Sequence, residues 1–315
     1  MRTTTVVDAA RQALGPVGLT LPVSFTSALS IDLQREAVER LERAGYHAVW
    51  TNEVVGGKDA LVQLAVLLAA TRRMVFGTGI ANIWARSPQT MHGAAAVLAQ
   101  AYPGRFVLGL GVGYPQQAAD TGREFGSPLA TMRDYRERMD SPTSPPAPDV
   151  AYPRIIAANG PKMLALAGEI ADGALPAGGP PEFTAQVRQV LGPDKLLVIG
   201  LSVVPGGDRD RARAIAREWV SGSLRQTWYA AALARFGYSD QEIAEVSDRV
   251  VDAIIAHGDP ADIAAKVREH LAAGADHVTL MQPIGTDFSV GVDQFERLAP
   301  ALRDVTAHLD RRAGG

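Results

Sequence analysis

From Val17 onward the chain alternates short β-branched runs with amphipathic helical stretches, each change marked by Gly, Pro or Asp, and this rhythm constrains the fold most. It predicts a parallel sheet with helices packed on it. The first strand is expected at "VGLTLP" (17–22). In "SIDLQREAVERLERAGY" Ser30 serves as N-cap, Leu33, Ala37, Val38 and Leu41 form an apolar stripe, and Gly45 ends the helix. "HAVWT", "MVFGTGI" and "RFVLGLG" follow as strands. Between them lie "DALVQLAVLLAATR" and "SPQTMHGAAAVLAQAY", the latter opened by an N-cap and N1 pair, Ser87 and Pro88. "RIIAANG", "GALPA", "LLVIGLSVV" and "DHVTLMQP" complete eight strands, with barrel helices "PKMLALAGEIA", "EFTAQVRQVL", "RDRARAIAREWV" and "PADIAAKVREHLAAG" between or after them. Eight strand–helix pairs without a change of composition favour a closed (β/α)8 TIM barrel, one domain over residues 1–315, rather than an open sheet or two smaller domains.

Three segments fall outside the rhythm. Residues 1–16 read as an N-terminal extension. "SPTSPPAPDVAYP" (141–153) holds five prolines, too stiff and too poor in apolar residues for a core, so it is expected as a surface loop between the fourth and fifth strands. Residues 221–257 read as a helical insertion before the last βα unit; its Trp228, Tyr229 and Phe236 either pack it to the barrel or cover a ligand.

Composition narrows the class of partner. A chain of 315 residues, 47% hydrophobic, buries a large core. The net charge is −3 with no basic block, so a small molecule is expected as partner, not nucleic acid or a membrane surface. Absence of cysteine rules out disulfides, thiolate ligands and a cysteine nucleophile, and the six histidines lack metal-ligand spacing, so no metal is expected. Without a long apolar run or a signal-like N-terminus, a cytoplasmic location is expected.

Familiar cofactor motifs fail. "GLGVGY" and "GTGIAN" follow strands, but the dinucleotide fingerprint requires a small residue where Tyr114 and Asn82 stand. Neither a phosphate loop of the GxxxxGK[ST] type nor a GxSxG elbow occurs. What remains is a set of polar residues at strand ends, Glu53, Asn82, Tyr114, Asn159 and Gln282, which a barrel would bring to one mouth. In "AANGPKM" a helix opens at Pro161 after Asn159 and Gly160, presenting backbone N–H groups suited to a phosphate, with Lys162 nearby. In "FGTGIANIW" the glycines permit unusual backbone geometry next to a flat ligand, and Ile80 is expected to project into the cavity.

These segments carry a resemblance. "GYHAVWTNE", "RRMVFGTGIANIWARSP", "YPGRFVLGLGVGYP", "NGPKMLALAGEIADGALP" and "AGADHVTLMQ" resemble the luciferase-like monooxygenase superfamily, in particular its oxidoreductases that use the deazaflavin coenzyme F420. The likeness runs in order from about Val17 to about Gln282, and "RFVLGLG" is its most specific part. It implies that the coenzyme ring lies in the barrel mouth, supported by a non-prolyl cis peptide at Gly79–Ile80. Asn82, Gly113, Asn159, Gly160, Lys162 and Met163 are implied as cofactor-binding, and Glu53 as the acid facing the cofactor.

Relatives that oxidise alcohols or sugar phosphates carry Asp-His where this chain has Glu53-Val54, and a glutamate where it has Tyr114. Both proton-handling groups are missing. The expected activity is therefore hydride transfer from reduced F420 to an activated C=C or C=N, with Glu53 and Tyr114 catalytic and either Tyr114 or water the proton donor. Trp50, Trp84 and Arg86 are expected at the substrate, Arg86 alternatively in a structural ion pair. An FMN-dependent monooxygenase and a non-catalytic deazaflavin-binding protein are the alternatives. The resemblance also implies a homodimer built through barrel helices.

Overall fold

The computed structural model describes residues 4–23, 29–224 and 227–313, excluding the side chains of 227–228 and 306–313. Its first five strands are β1 (Val17–Thr20), β2 (Ala48–Thr51), β3 (Val75–Thr78), β4 (Ala81–Asn82) and β5 (Phe106–Gly111). The others are β6 (Arg154–Ile156), β7 (Gly173–Ala174), β8 (Leu196–Pro205), β9 (Ile255–Gly258) and β10 (His277–Met281). Pairing runs β1–β2–β3–β5–β6–β7–β8–β10 and back to β1, all parallel, so eight strands close as a TIM barrel. Each expected strand is present. β4 resumes the third strand after a turn and pairs with β5.

Local sequence sets the surrounding helices. Ser30 caps Ile31–Ala44 through Asp32 N, and Gly45 ends that helix at φ +101°, a conformation that favours glycine. Ala37, Val38 and Leu41 are buried, as the stripe predicts, and Leu33 packs against the same core only partly buried. Asp59 caps Ala60–Ala70 through Leu61 N and Val62 N, and Ser87 caps Pro88–Ala101.

The barrel interior is filled by one large pair. Trp50 and His277 are fully buried, and Trp50 Nε1 donates to His277 Nε2 at 3.1 Å. Glycines on neighbouring strands make the room: a Cβ on Gly77, beside Trp50 in register, would stand 2.3 Å from the indole, and one on Gly18 would stand 2.7 Å from the imidazole. His277 Nδ1 therefore carries the proton and donates to Gly15 O at 2.7 Å. Gly15 is the C-cap of the helix Val6–Leu14, whose Val7, Ala10 and Leu14 pack against Trp50, Val75 and Val107. Residues 1–16, expected only as an extension, thus include a plug across the N-terminal end of the barrel.

The excursion near the end of the chain differs from expectation. Helix Arg209–Ser223, assigned from sequence to the barrel's outer ring, instead buries Ala212, Ala216 and Val220 against Val250, Val251 and Ile254 in a satellite core. The crossover to β10 is made by Pro260–Ala272. The excursion therefore starts directly after β8, and its last residues form β9, which pairs with Ser202–Pro205. The apolar run "AIIAHG" is too short for periodicity to separate strand from helix. Phe236 meets Phe183 with ring centroids 6.1 Å apart, and Tyr229 donates to Gly178 O at 3.2 Å, so both tie the excursion to the barrel. Trp228's side chain lies outside the described residues. Residues 141–150 form no helix or strand, and Tyr152 and Pro153, which follow, are buried. Among the described residues no helix is long and apolar enough to cross a membrane.

Two buried histidines make stability depend on pH. Burial pushes His270 and His277 down from 6.5 to about 4. The unfolded chain then takes up protons below 6.5 that the folded chain refuses until about 4. Stability is fully present above that window and falls through it by about 1.4 kcal/mol per pH unit for each histidine. Urea unfolding across the window should show this slope, and H270L should remove roughly half of it.

Candidate active site

The strand-end acid has a structural explanation. Glu53 N donates to Ile80 O at 3.1 Å, and the Glu53 side chain, 1% exposed, receives four hydrogen bonds. Oε2 accepts from Asn82 N at 2.6 Å and Arg86 Nη1 at 3.3 Å; Oε1 accepts from Ala60 N at 3.0 Å and from Arg86 Nη2. Arg86 Nη2 also reaches Asp59 Oδ2 at 2.7 Å. A carboxylate offers about four lone-pair positions, so none remains for a ligand or a proton in transit. The expectation that Glu53 acts catalytically and contacts cofactor is corrected: its carboxylate ties the ends of β2 and β3 to two helix starts. Arg86, expected at the substrate, is its counter-ion and is 10% exposed.

The two tryptophans are corrected as well. Trp50 lies within the barrel, bonded to His277, because alternation along β2 turns it inward below the rim. Trp84 is 6% exposed; its Nε1 donates to Val112 O at 2.7 Å, and its ring lies 6.0 Å from Phe125. It braces the loop after β5. Tyr114, expected as proton donor, is 69% exposed at the start of the short helix Pro115–Ala119 and does not line the main cavity. Gln282 turns onto the last helix, where its Nε2 donates to Gly291 O and to Gln294 Oε1.

The remaining rim residues lie along one arc. The peptide Gly79–Ile80 is cis. Ile80 leans over β5, where a Cβ on Gly111 would stand 2.6 Å from its Cγ1. Asn82, 1% exposed, accepts from Trp84 N with its Oδ1, while its Nδ2 lies 2.6 Å from where a Gly113 Cβ would stand. Gly113 itself has φ +57°, so glycine answers both the backbone and the close approach there. In the loop after the adjoining strand β6, Asn159 Oδ1 accepts from Ala177 N at 2.8 Å. Gly160 precedes Pro161–Ile170 without a side-chain cap, and no atom lies within 4 Å of a Cβ built on it. Lys162 is exposed and Met163 half-buried on that first turn. An apolar ledge flanked by an open helix start fits a flat ring with an anionic tail.

Beside this arc, against the ends of β1 and β2, lies a cavity of about 770 Å³. Leu21, Leu29, Ile31, Val66 and Phe288 give it apolar walls, and Asn52, Val54, Lys58 and Asp59 line one side. Sequence reading missed Lys58. A bridge between Val54 and Lys58 folds the loop after Glu53 back on itself, and Lys58 Nζ donates to Asn52 Oδ1 at 3.0 Å. Burial pushes this ammonium down to about 8, with Glu53 opposing the shift. The available signal was its place next to a helix-capping aspartate, one turn from the strand-end acid.

The fold and this rim define a (β/α)8 barrel with its site at the C-terminal face. A family model described as luciferase-like monooxygenase matches residues 18–277, and the chain belongs to that family. A Mycobacterium tuberculosis protein, named provisionally as a coenzyme F420-dependent oxidoreductase, is 31% identical over 190 residues. That match covers 50% of this chain and 54% of the relative, so it spans about half the relative's length. The 5,10-methylenetetrahydromethanopterin reductase of Archaeoglobus fulgidus is 26% identical over 301 residues, 79% of this chain and 89% of that one. In shape, an F420-dependent secondary alcohol dehydrogenase solved with an F420–acetone adduct gives a TM-score of 0.71 at 18% identity. It covers 91% of this chain and 98% of that one.

Removing Arg86 would leave the Glu53 carboxylate buried without its cation. R86M is expected to lose about 3–5 kcal/mol in urea unfolding. A loss under about 1 kcal/mol, the level of a surface pair, would contradict the knot described here.

Proposed function

We propose that the protein is an F420-dependent oxidoreductase that transfers hydride between the deazaflavin and a small organic molecule, acting as a reductase of an activated C=C or C=N. One observation carries the reading: Ile80 against Gly111, Asn82 against Gly113, and the uncapped helix start at Gly160 occupy neighbouring positions on one rim. Ile80 would support the ring, Asn82 and Gly113 would hold its edge, and Gly160, Lys162 and Met163 would receive the phosphorylated tail. Bound there, a reduced deazaflavin supplies hydride while reacting little with dioxygen. The chain's own contribution is orientation and exclusion of water.

The direction of reaction follows from what the rim lacks. Val54 lines the cavity where an alcohol oxidation of the kind expected from the resemblance would need a proton acceptor, and Tyr114 points to solvent. An aliphatic side chain cannot take a hydroxyl proton. A homodimer belongs to the same proposal: Val62 and Val97, 65% and 53% exposed, stand on the adjacent helices Ala60–Ala70 and Pro88–Ala101.

Fluorescence titration with F420 and with FMN tests the coenzyme directly. F420 should be quenched to saturation, and K162E should weaken binding by about 5- to 30-fold, roughly 1–2 kcal/mol at a helix N-terminus. Saturable binding of FMN alone would instead favour the monooxygenase reading, and F420 binding without turnover of any acceptor would favour a carrier.

A further inference from the structure

The loop between β2 and the next helix places a cation, Lys58, where the described residues around it form no ion pair with it. Its backbone is pinned: Lys58 N donates to Val54 O at 3.0 Å, and Val54 N donates to Lys58 O at 3.3 Å. Lys58 Nζ spends one hydrogen on Asn52 Oδ1, and an ammonium has three. The nearest acids are already engaged. Glu53 and Asp59 both bind Arg86, Asp59 Oδ1 caps its helix through Leu61 N and Val62 N, and among the described residues Lys58 forms no ion pair.

The balance of charge decides what Lys58 can receive. Glu53, Asp59, Arg86 and Lys58 together are neutral, so a ligand bearing a full carboxylate would leave an excess negative charge beside apolar walls. A neutral oxygen would not. Of the side chains that line the cavity among the described residues, Lys58 alone is cationic, and the opposite walls are Leu29, Ile31, Val66 and Phe288. The volume of about 770 Å³ accommodates a small molecule with an apolar body.

We infer that Lys58 donates a hydrogen bond, and then a proton, to the carbonyl oxygen of an apolar α,β-unsaturated carbonyl compound bound in this cavity. The inference deepens the reductase reading and rests on it for the source of hydride, a reduced deazaflavin. Hydride adds to the β-carbon, the C=C π bond breaks, and its electron pair moves onto the carbonyl oxygen as an enolate. Lys58 Nζ–H transfers its proton to that oxygen, the enol tautomerises through solvent, and the neutral amine regains a proton from water. Two electrons and two protons are accounted for, one proton as the hydride nucleus and one from Lys58. A partly buried ammonium that titrates near about 8 is charged in neutral solution and gives up its proton more readily than an exposed lysine.

The test uses the full chain without coenzyme, so its failure is separate from any failure to bind F420. The probe is 4-(dimethylamino)benzylideneacetone, a push–pull ketone whose absorption moves to longer wavelength when its carbonyl oxygen accepts a charged hydrogen bond. The wild-type protein should bind it saturably with that red shift. K58M, with K58Q as a second replacement, should bind it about tenfold or more weakly and without the shift. K58R should retain part of the shift. A role for Lys58 confined to loop structure would lower binding without changing the spectrum of the bound probe. No saturable binding, an unshifted spectrum in the wild type, or the same shift in both neutral variants overturns the assignment.

Discussion

The rim of this barrel is organised by one buried carboxylate. Glu53 sits where β2 ends and collects the backbone N–H groups of Asn82 and Ala60 together with the guanidinium of Arg86. Those donors come from two parts of the chain, the helix start at Ala60 and the stretch from Asn82 to Arg86, so one side chain sets the relative position of the β3–β4 turn and of two helix starts. A buried acid is tolerable only when its charge is matched and its lone pairs are filled, and both conditions hold here. The residue that looks most catalytic in the sequence is thereby spent on structure.

That commitment determines what its neighbours are free to do. Because Arg86 takes both Glu53 and Asp59, the Lys58 ammonium faces the cavity with the Asn52 amide as its only hydrogen-bonding partner among the described residues. Among the described residues that line the cavity, the one cation thus forms no ion pair. The chemistry proposed at the rim rests on an uneven sharing of two acids between two bases, and the surrounding hydrophobic surface makes that unevenness count.

Below the rim the barrel is closed by a different device. Trp50 and His277 fill the interior, glycines at 18 and 77 give way to them, and the imidazole carries the hydrogen-bond chain on to Gly15 at the end of the plugging helix. Large interior groups and missing side chains on adjacent strands are complementary parts of one packing solution. Because the floor is sealed this way, the proposed ligands would enter from the C-terminal ends of the strands.

Periodicity and turn residues determined the barrel: eight strands, the caps at Ser30, Asp59 and Ser87, and the stop at Gly45 follow from local preferences that tertiary contacts reinforce. Gly113 was legible for the same reason, since a backbone at φ +57° with a side chain packed against it needs glycine. The destinations of Glu53, Trp50, Trp84 and Arg86 were not. Whether an acid, an indole or a guanidinium faces ligand or core depends on which partners arrive from strands 27 to 227 residues away, as with Arg86–Asp59 and Trp50–His277. Helix Arg209–Ser223 was misplaced on similar grounds, for amphipathic spacing says that one face is buried but not against what. Local sequence specifies the elements because their hydrogen bonds and torsions are local; the roles of polar side chains at the rim were decided by three-dimensional competition for a few donors and acceptors.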